Sequence, residues 1–484
     1  MKPIICCCIV VSLLTCGITR AAERPVADTR ALKQAIEDAK PGDVIVMKDG
    51  TWPDADIRFY GTGTESEPIT LRAQTPGKTI FTGGSRLRVG GSYLVVDGLL
   101  FKDGGVTGGH VIAFRGENDK GADHCRVTNC AVIDYNVPLP KEDATAYYCS
   151  LYGANNRVDH CYFKGKNTPG PTFVVWVEDQ PNNHHIDHNH FAGRPDLGKN
   201  GGETIRVGTS EVSMNVSRTL VEQNYFENCD GEAEIISNKS CENVYRGNTF
   251  VRNRGALTLR HGNRCIVDGN WFFGHDKPVS GGIRIIGEDH IIINNYLDGL
   301  AGEGFESAMP FVNGIPNSKP NEYFRVQRAL VAYNTFVNCA QPMSFGIGKG
   351  TRNRVEPPMD CTIANNLIVG KDGPLIRFLD QPTGTKWIGN VFFGAASGLA
   401  ESSPGMRAID PKLAKGDDGV SRPAADSPVR GTAEGGFPVV TDIDGQTRPA
   451  KGKDVGCDQQ SSQPVQSRPL TPADVGPVGW RPGE

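Results

Sequence analysis

The sequence has little of what marks several common protein classes. Acidic and basic residues nearly cancel, with 55 Asp and Glu against 51 Lys and Arg, so the basic excess of a phosphate-binding domain is missing. That excludes nucleic acid as the main partner. After the first 21 residues no stretch approaches the run of about 18 apolar residues that a membrane span needs. None of the 14 cysteines forms a Cys-x-x-Cys pair, so zinc-site spacing is absent. Sustained helical periodicity is also missing. Apolar residues alternate in short bursts bounded by Gly, Asn and Asp, which is the chemistry of strands and turns.

The chain begins with a leader. Lys2 precedes an apolar run from Ile4 to Leu14 and a polar stretch ending Thr19-Arg20-Ala21. The run is too short for a span and reads as a cleaved secretory signal over residues 1–21, which places the protein in the periplasm or outside the cell. A lipid anchor on Cys16 is the lesser reading, because Thr15 suits that processing site poorly. Four cysteines leave with the leader and ten remain.

One pattern recurs through the rest. It is a β-branched residue, two variable positions, Asn or a substitute, one variable position, then an aromatic or aliphatic residue. Its register residues read as Asn129, His160, Asn189, Asn224, Asn248, Asn270, Asn295, Asn334, Asn366 and Asn390. Their spacings are 31, 29, 35, 24, 22, 25, 39, 32 and 24. The shortest match one coil of a parallel β-helix, and the longer ones are coils carrying loops. The expected fold is therefore all-β, a parallel β-helix solenoid with coils stacked about 4.8 Å apart. Aligned Asn side chains would hydrogen-bond along the stack. Cys130 and Cys161 directly follow the register residue, Cys229 and Cys339 sit five after it, and Cys265 and Cys361 five before. Such repetition points to buried stacks of small side chains rather than disulfides.

Asp28 to Ala39 reads as an N-terminal capping helix, with Asp28 as N-cap and Pro41-Gly42 as its stop. The solenoid is expected over residues 22–460, and a Pro- and Gln-rich, loosely packed tail over 461–484. Insertions after Asn189, Asn295 and Asn334 are expected to shape the ends of a surface groove.

The densest polar stretch runs from Asn200 to His261. Glu232 and Glu234 lie two apart on a predicted strand and so face one side. Lys239 follows, and Arg260 comes 21 residues later, about one coil, which would stack the two cations on adjacent rungs. Hard oxygen donors such as Glu232 and Glu234, with Asn200 or Glu203 one coil earlier, suit Ca²⁺. A solvated outer strand face or a plain salt-bridge lattice accounts for the same residues without a metal. His184, His185, His188 and His190 look like a metal cluster, but strand alternation separates them, and they read as coil surface and substitutes in the Asn ladder.

Three ordered motifs carry a family likeness: Asn200-Gly-Gly-Glu-Thr-Ile-Arg206, Asp230-Gly-Glu-Ala-Glu-Ile-Ile236 with Lys239-Ser240, and Leu259-Arg-His-Gly262. They resemble polysaccharide lyase family 6, which contains alginate lyases and chondroitin B (dermatan sulfate) lyases. The likeness runs from Lys40-Pro-Gly-Asp43 to Asp442-Ile-Asp-Gly445. It implies a right-handed parallel β-helix that cleaves an anionic uronic-acid polysaccharide by β-elimination with Ca²⁺. By motif position Lys239 matches the Brønsted base and Arg260 the catalytic acid. Asn200, Glu232 and Glu234 match Ca²⁺ ligands, and Glu203 would ligate directly or through water. Arg194 and Arg206 are candidate clamps for substrate carboxylates, since Arg grips them bidentately. His261 would orient Arg260 or contact sugar. Alginate is the favoured substrate and dermatan sulfate the second. Two rivals remain open: a β-helix that binds polysaccharide without cutting it, and a hydrolase using Asp230, Glu232 and Glu234, which leaves Lys239 and Arg260 unexplained.

Overall fold

A computed structural model describes residues 23–137, 145–400 and 403–482. The leader, residues 1–21, lies outside the described residues. Strands of two to seven residues alternate with tight turns, and their apolar residues point inward: Ile69–Ala73, for example, buries Ile69, Leu71 and Ala73. No coil can bury such a face alone, so successive coils stack. The result is three 14-stranded sheets with parallel pairing between coils. The first contains Val44–Met47 and His185–Asp187, the second Glu234–Lys239 and Gly255–His261, and the third His190–Arg194 and Tyr225–Cys229. The expected parallel β-helix is the fold. Its interior carries a column of rings, Phe163, Phe191, Phe226, Phe250 and Phe272, with successive centroids 5.4, 4.9, 4.7 and 4.5 Å apart.

The Asn ladder occupies the corner between the first and third sheets. Asn189, Asn224, Asn248, Asn270, Asn295, Asn334, Asn366 and Asn390 are buried, and from Asn224 on each oxygen accepts the backbone N–H and the side-chain amide of the Asn one coil earlier at 2.9–3.1 Å. In the first two coils the register differs from expectation by one residue. Cys161 takes the ladder slot, its N–H donating to the Asn189 oxygen at 2.9 Å, with Cys130 beside it. Asn129 and His160 instead hold the left-handed turn position just before the slot, with φ of 52° and 50°. The corner needs a left-handed residue and then a buried one. Asn suits both, so an Asn alone does not tell which slot it fills.

A second ladder runs along the corner between the second and first sheets. There Cys125 donates its N–H to Asn156, Asn156 to His184 Nδ1 at 3.1 Å, and Cys265 to His290 Nδ1 at 3.1 Å. His184 is thus a ladder substitute, while His185, His188 and His190 pair with Glu222, Asp187 and Glu227. All ten cysteines of the described residues are buried and unbridged.

The helix forms over Thr29–Glu37, with the Asp28 carboxylate accepting the Ala31 N–H and Leu32 and Ala35 buried. The chain beyond the last coil packs on the outer face of the third sheet, where Val420, Ile443 and Cys457 cover Trp271, Tyr296 and Val337. The tail departs from the loose packing expected of it. It runs back toward earlier coils, donating from Leu470 N to Thr249, from Gly476 N to the His188 carbonyl and from Val478 N to Asn129, and Trp480 lies against Gly77. Its prolines remove backbone donors, but the coil edge it follows supplies acceptors for those that remain. Among the described residues no helix is long and apolar enough to cross a membrane.

Candidate active site

On the second sheet Ile205–Val207, Glu234–Lys239, Gly255–His261 and Ser280–Ile285 are neighbours in that order. Ile205, Ile236, Leu257 and Ile283 fill the core, and the residues after them, Arg206, Ser237, Thr258 and Arg284, form one outward row. Two irregularities in the pairing of Glu234–Lys239 with Gly255–His261 shape the site. Between Glu234 and Ile236 the register slips, and Glu232 lies in the bend before the strand rather than on it, which corrects its expected place beside Glu234. Between Asn238 and Lys239 it slips again: Asn238 faces Leu259 and Lys239 faces His261. Arg260 is the extra residue of a bulge, so Lys239 and Arg260 do not stack as direct rung neighbours.

The glycines of the motifs bring the carboxylates together. A Cβ on Gly202 would stand 2.1 Å from the Gly231 carbonyl oxygen, and one on Gly231 2.2 Å from that of Gly202. Only glycine permits this backbone contact, and it sets Glu203 next to Glu232. Both are buried, at 3% and 8% exposure, and each has one carboxylate oxygen without a hydrogen-bond partner, Oε2 of Glu203 and Oε1 of Glu232. Gly201 N–H donates to the other oxygen of Glu232 at 3.2 Å. Burial, then the negative charges of Glu203 and Glu234, push the Glu232 pKa up to about 8. Glu234 is engaged on both oxygens, by the Ser237 hydroxyl and by Arg284 at 3.5 Å. Lys239 Nζ stands 3.9 Å from Glu203 Oε1.

The unpartnered buried oxygens of Glu203 and Glu232 could be satisfied by a cation, and oxygen donors would favour a hard one such as Ca²⁺. Glu203 and Glu232 fit that role, Glu234 needs to release a partner, and Asn200 is exposed one residue before the Gly201 N–H that meets Glu232. As they stand, no three His, Cys, Asp or Glu side chains among the described residues are gathered closely enough to hold a metal.

Arg260 donates through Nη1 to the Glu322 carbonyl at 2.8 Å, and its guanidinium lies 4.0 Å from the centre of the Tyr323 ring. His261 is buried, 3.4 Å from Arg260 through Nδ1 and 3.3 Å from the Ser210 hydroxyl through Nε2. Burial, with Arg260 and Lys239 nearby, pulls its pKa down to about 2, so the ring is neutral. Of its two expected roles, orienting Arg260 matches this geometry. Arg206 lies over Trp176 at 5.3 Å, and among the described residues its guanidinium makes no hydrogen bond or ion pair, which leaves it free for an anion.

Arg194 is a correction. It is 2% exposed, and its guanidinium is spent on Thr172 Oγ1 and the carbonyls of Thr168 and Gly170. Burial lowers its pKa to about 10. It braces a loop and has no open face to offer a substrate. Lys166 joins it, donating to Thr168, Pro169 and Gly170. The braced loop in turn holds Gly201, through Gly170 N–H to the Gly201 carbonyl at 2.8 Å. Lys166 escaped the sequence reading because nothing in an isolated Lys reveals burial. Arg284 also escaped it, although its place after Gly281-Gly282-Ile283, one coil beyond Thr258, marks the same outward row.

A lysine set against buried carboxylates on the wall of a parallel β-helix suits a polysaccharide lyase. A sequence profile described as chondroitinase B matches residues 26–425, and the chain belongs to that family, polysaccharide lyase family 6. Among solved structures, the family 6 alginate lyase AlyGC is 40% identical over 95% of this chain, with a TM-score of 0.84; this chain spans 59% of AlyGC. A mannuronic acid-specific family 6 lyase from human gut microbiota is 34% identical, with a TM-score of 0.74, over 80% of this chain and 91% of its own. The family 6 lyase Pedsa3628 from Pseudopedobacter saltans is 29% identical, with a TM-score of 0.69, over 80% and 96%. Among proteins of curated function, none matches the sequence.

Proposed function

We propose that the protein is an exported lyase that cleaves a uronic-acid polymer, alginate in first place, by Ca²⁺-assisted β-elimination. The observation that carries this reading is Lys239 Nζ at 3.9 Å from Glu203 Oε1, in a buried pair with Glu232 whose remaining oxygens lack partners. The mannuronic acid-specific and alginate lyases among its relatives support the choice of polymer.

Elimination begins with loss of the C5 proton of a uronate, an acid far too weak to ionise unaided. Glu203 and Glu232 would hold Ca²⁺, which would supply a Lewis acid for the charge that builds on the uronate carboxylate. Lys239, as the free amine, accepts the C5 proton on Nζ. Arg206 grips a substrate carboxylate and fixes the sugar over Nζ. Arg260 lies beside the leaving oxygen O4, offsets its charge and delivers a proton directly or through water. His261 stays neutral and keeps Arg260 turned outward. Residues 1–21 direct export.

Incubating the protein with Ca²⁺ and either alginate or dermatan sulfate, and following ultraviolet absorbance of 4,5-unsaturated ends, tests this. Rising absorbance on alginate is the expected result. A rise on dermatan sulfate alone selects the second substrate. New reducing ends without absorbance would mark a hydrolase, and binding without cleavage would leave only a polysaccharide-binding surface.

A further inference from the structure

The longest coil, between Asn295 and Asn334, carries a loop from Asn313 to Ala329 that ordinary turns do not need. The loop is pinned rather than free. Gly314 and Glu356 exchange backbone hydrogen bonds at 2.8 and 3.1 Å, Ile315 N–H donates to the Tyr323 carbonyl at 2.8 Å, and Arg325 Nε donates to the Pro357 carbonyl at 2.7 Å. Tyr323 is thereby fixed against the site. Its ring centre is 4.0 Å from the Arg260 guanidinium carbon and 4.2 Å from that of Arg354. Two guanidinium groups cannot both stand over the centre of one face, so they take opposite faces.

Arg354 is an unusual neighbour. It is 5% exposed, its Nε is buried without a partner, and among the described residues its guanidinium makes no ion pair or hydrogen bond. Phe305 backs it at 5.2 Å. Two cations on one coil edge would repel, and the ring between them attracts both through its negative faces. Arg260 is then held by consecutive residues, through the Glu322 carbonyl and the Tyr323 face.

We propose that Tyr323 is a positioning residue for Arg260: a ring wedged between Arg260 and Arg354 that holds the first guanidinium at the reacting end of the site. This rests on the elimination reading above. Without the ring face, Arg260 keeps the Glu322 carbonyl and a longer contact, 3.5 Å, to the Asn321 carbonyl, and meets the repulsion of Arg354 directly. Displacement of such a group by about 1 Å costs on the order of 100-fold in rate.

The test compares the full chain with its Tyr323→Phe, Tyr323→Leu and Tyr323→Met variants, with Ca²⁺, on the uronan the parent cleaves, measuring kcat, KM and thermal unfolding. Phe keeps both ring faces and should hold kcat within about twofold, whereas Leu and Met should lower kcat about 10- to 100-fold with KM little changed. Met fills similar volume without a ring, so it keeps the comparison available if Leu unfolds the loop. A parent-like kcat in both Leu and Met, or a Phe variant as damaged as Leu, overturns the proposal. An Arg260→Ala variant with full activity overturns the underlying assignment of Arg260 instead.

Discussion

Lys239 faces His261 across neighbouring strands, and Arg260 is the residue the bulge leaves over. A regular pairing would set two cations side by side. The bulge instead turns Arg260 toward Glu322 and Tyr323 while a neutral, buried imidazole sits opposite the lysine. Arg260→Lys keeps the charge and loses the planar group that spans carbonyl and ring. Its kcat should fall about 100-fold with unchanged unfolding temperature. A variant within about threefold of the parent would contradict the geometric role given to Arg260.

Arg194 should matter for stability rather than for substrate affinity. Arg194→Met takes its donor from Thr172 Oγ1 and leaves the Thr168 and Gly170 carbonyls to Lys166 alone, a loss of about 2–4 kcal/mol for a buried charged hydrogen-bonding group. Urea unfolding should report that loss while KM stays near the parent value. A large rise in KM without destabilisation would restore the clamp role.

Calcium should act locally. Chelation is expected to abolish turnover while circular dichroism keeps its β signature, because the ladders and the ring column do not depend on the carboxylates. Added Ca²⁺ should raise the unfolding temperature of the parent, since a ligand that binds only the folded state stabilises it. Glu203→Gln should weaken that shift, as it removes a charge beside the unpartnered oxygens. Unfolding on chelation would contradict a local role.

Acid should weaken the fold through its ladder histidines. Burial lowers the pKa of His184 to about 3 and that of His290 to about 4. Unfolded histidines titrate near 6.5. As pH falls below that value, the unfolded chain takes up protons that the folded one refuses, so stability is lost between about pH 6.5 and 4 at about 1.4 kcal/mol per pH unit for each histidine. His290→Asn places on that rung the residue that other rungs of the same ladder, Asn156 and Asn243, already use, and should flatten the slope by one histidine's share. An unchanged slope between pH 4 and 6.5 would contradict the assignment.

Much of this molecule was legible in its sequence. The Asn spacing revealed the solenoid because coil length and ladder are one physical requirement, and Asp28 marked the helix start because a capping carboxylate has few alternatives. Glu203, Glu232, Glu234 and Lys239 stood out in the sequence through their spacing and their family-like motifs, and the structure sets Lys239 3.9 Å from Glu203. What escaped depended on bulges and burial. Neither register slip leaves a mark in the residues themselves, so Arg260 lies on the expected neighbouring rung but not directly across from Lys239, and Glu232 lies before its strand rather than on it. Arg194 reads as a surface clamp until Thr172 and the loop carbonyls close around it. The tail from Ser461 looked loose because its acceptors lie on Thr249, His188 and Asn129, far away in sequence.

The central claim is that Lys239 takes the proton. Turnover of alginate by the parent and by Lys239→Ala, with Ca²⁺ present and folding checked by thermal unfolding, tests it most directly. A loss of about 1,000-fold or more in product absorbance is expected for a variant as stable as the parent, in line with removal of a general base. A folded Lys239→Ala that still forms unsaturated product at a rate near the parent's would contradict it.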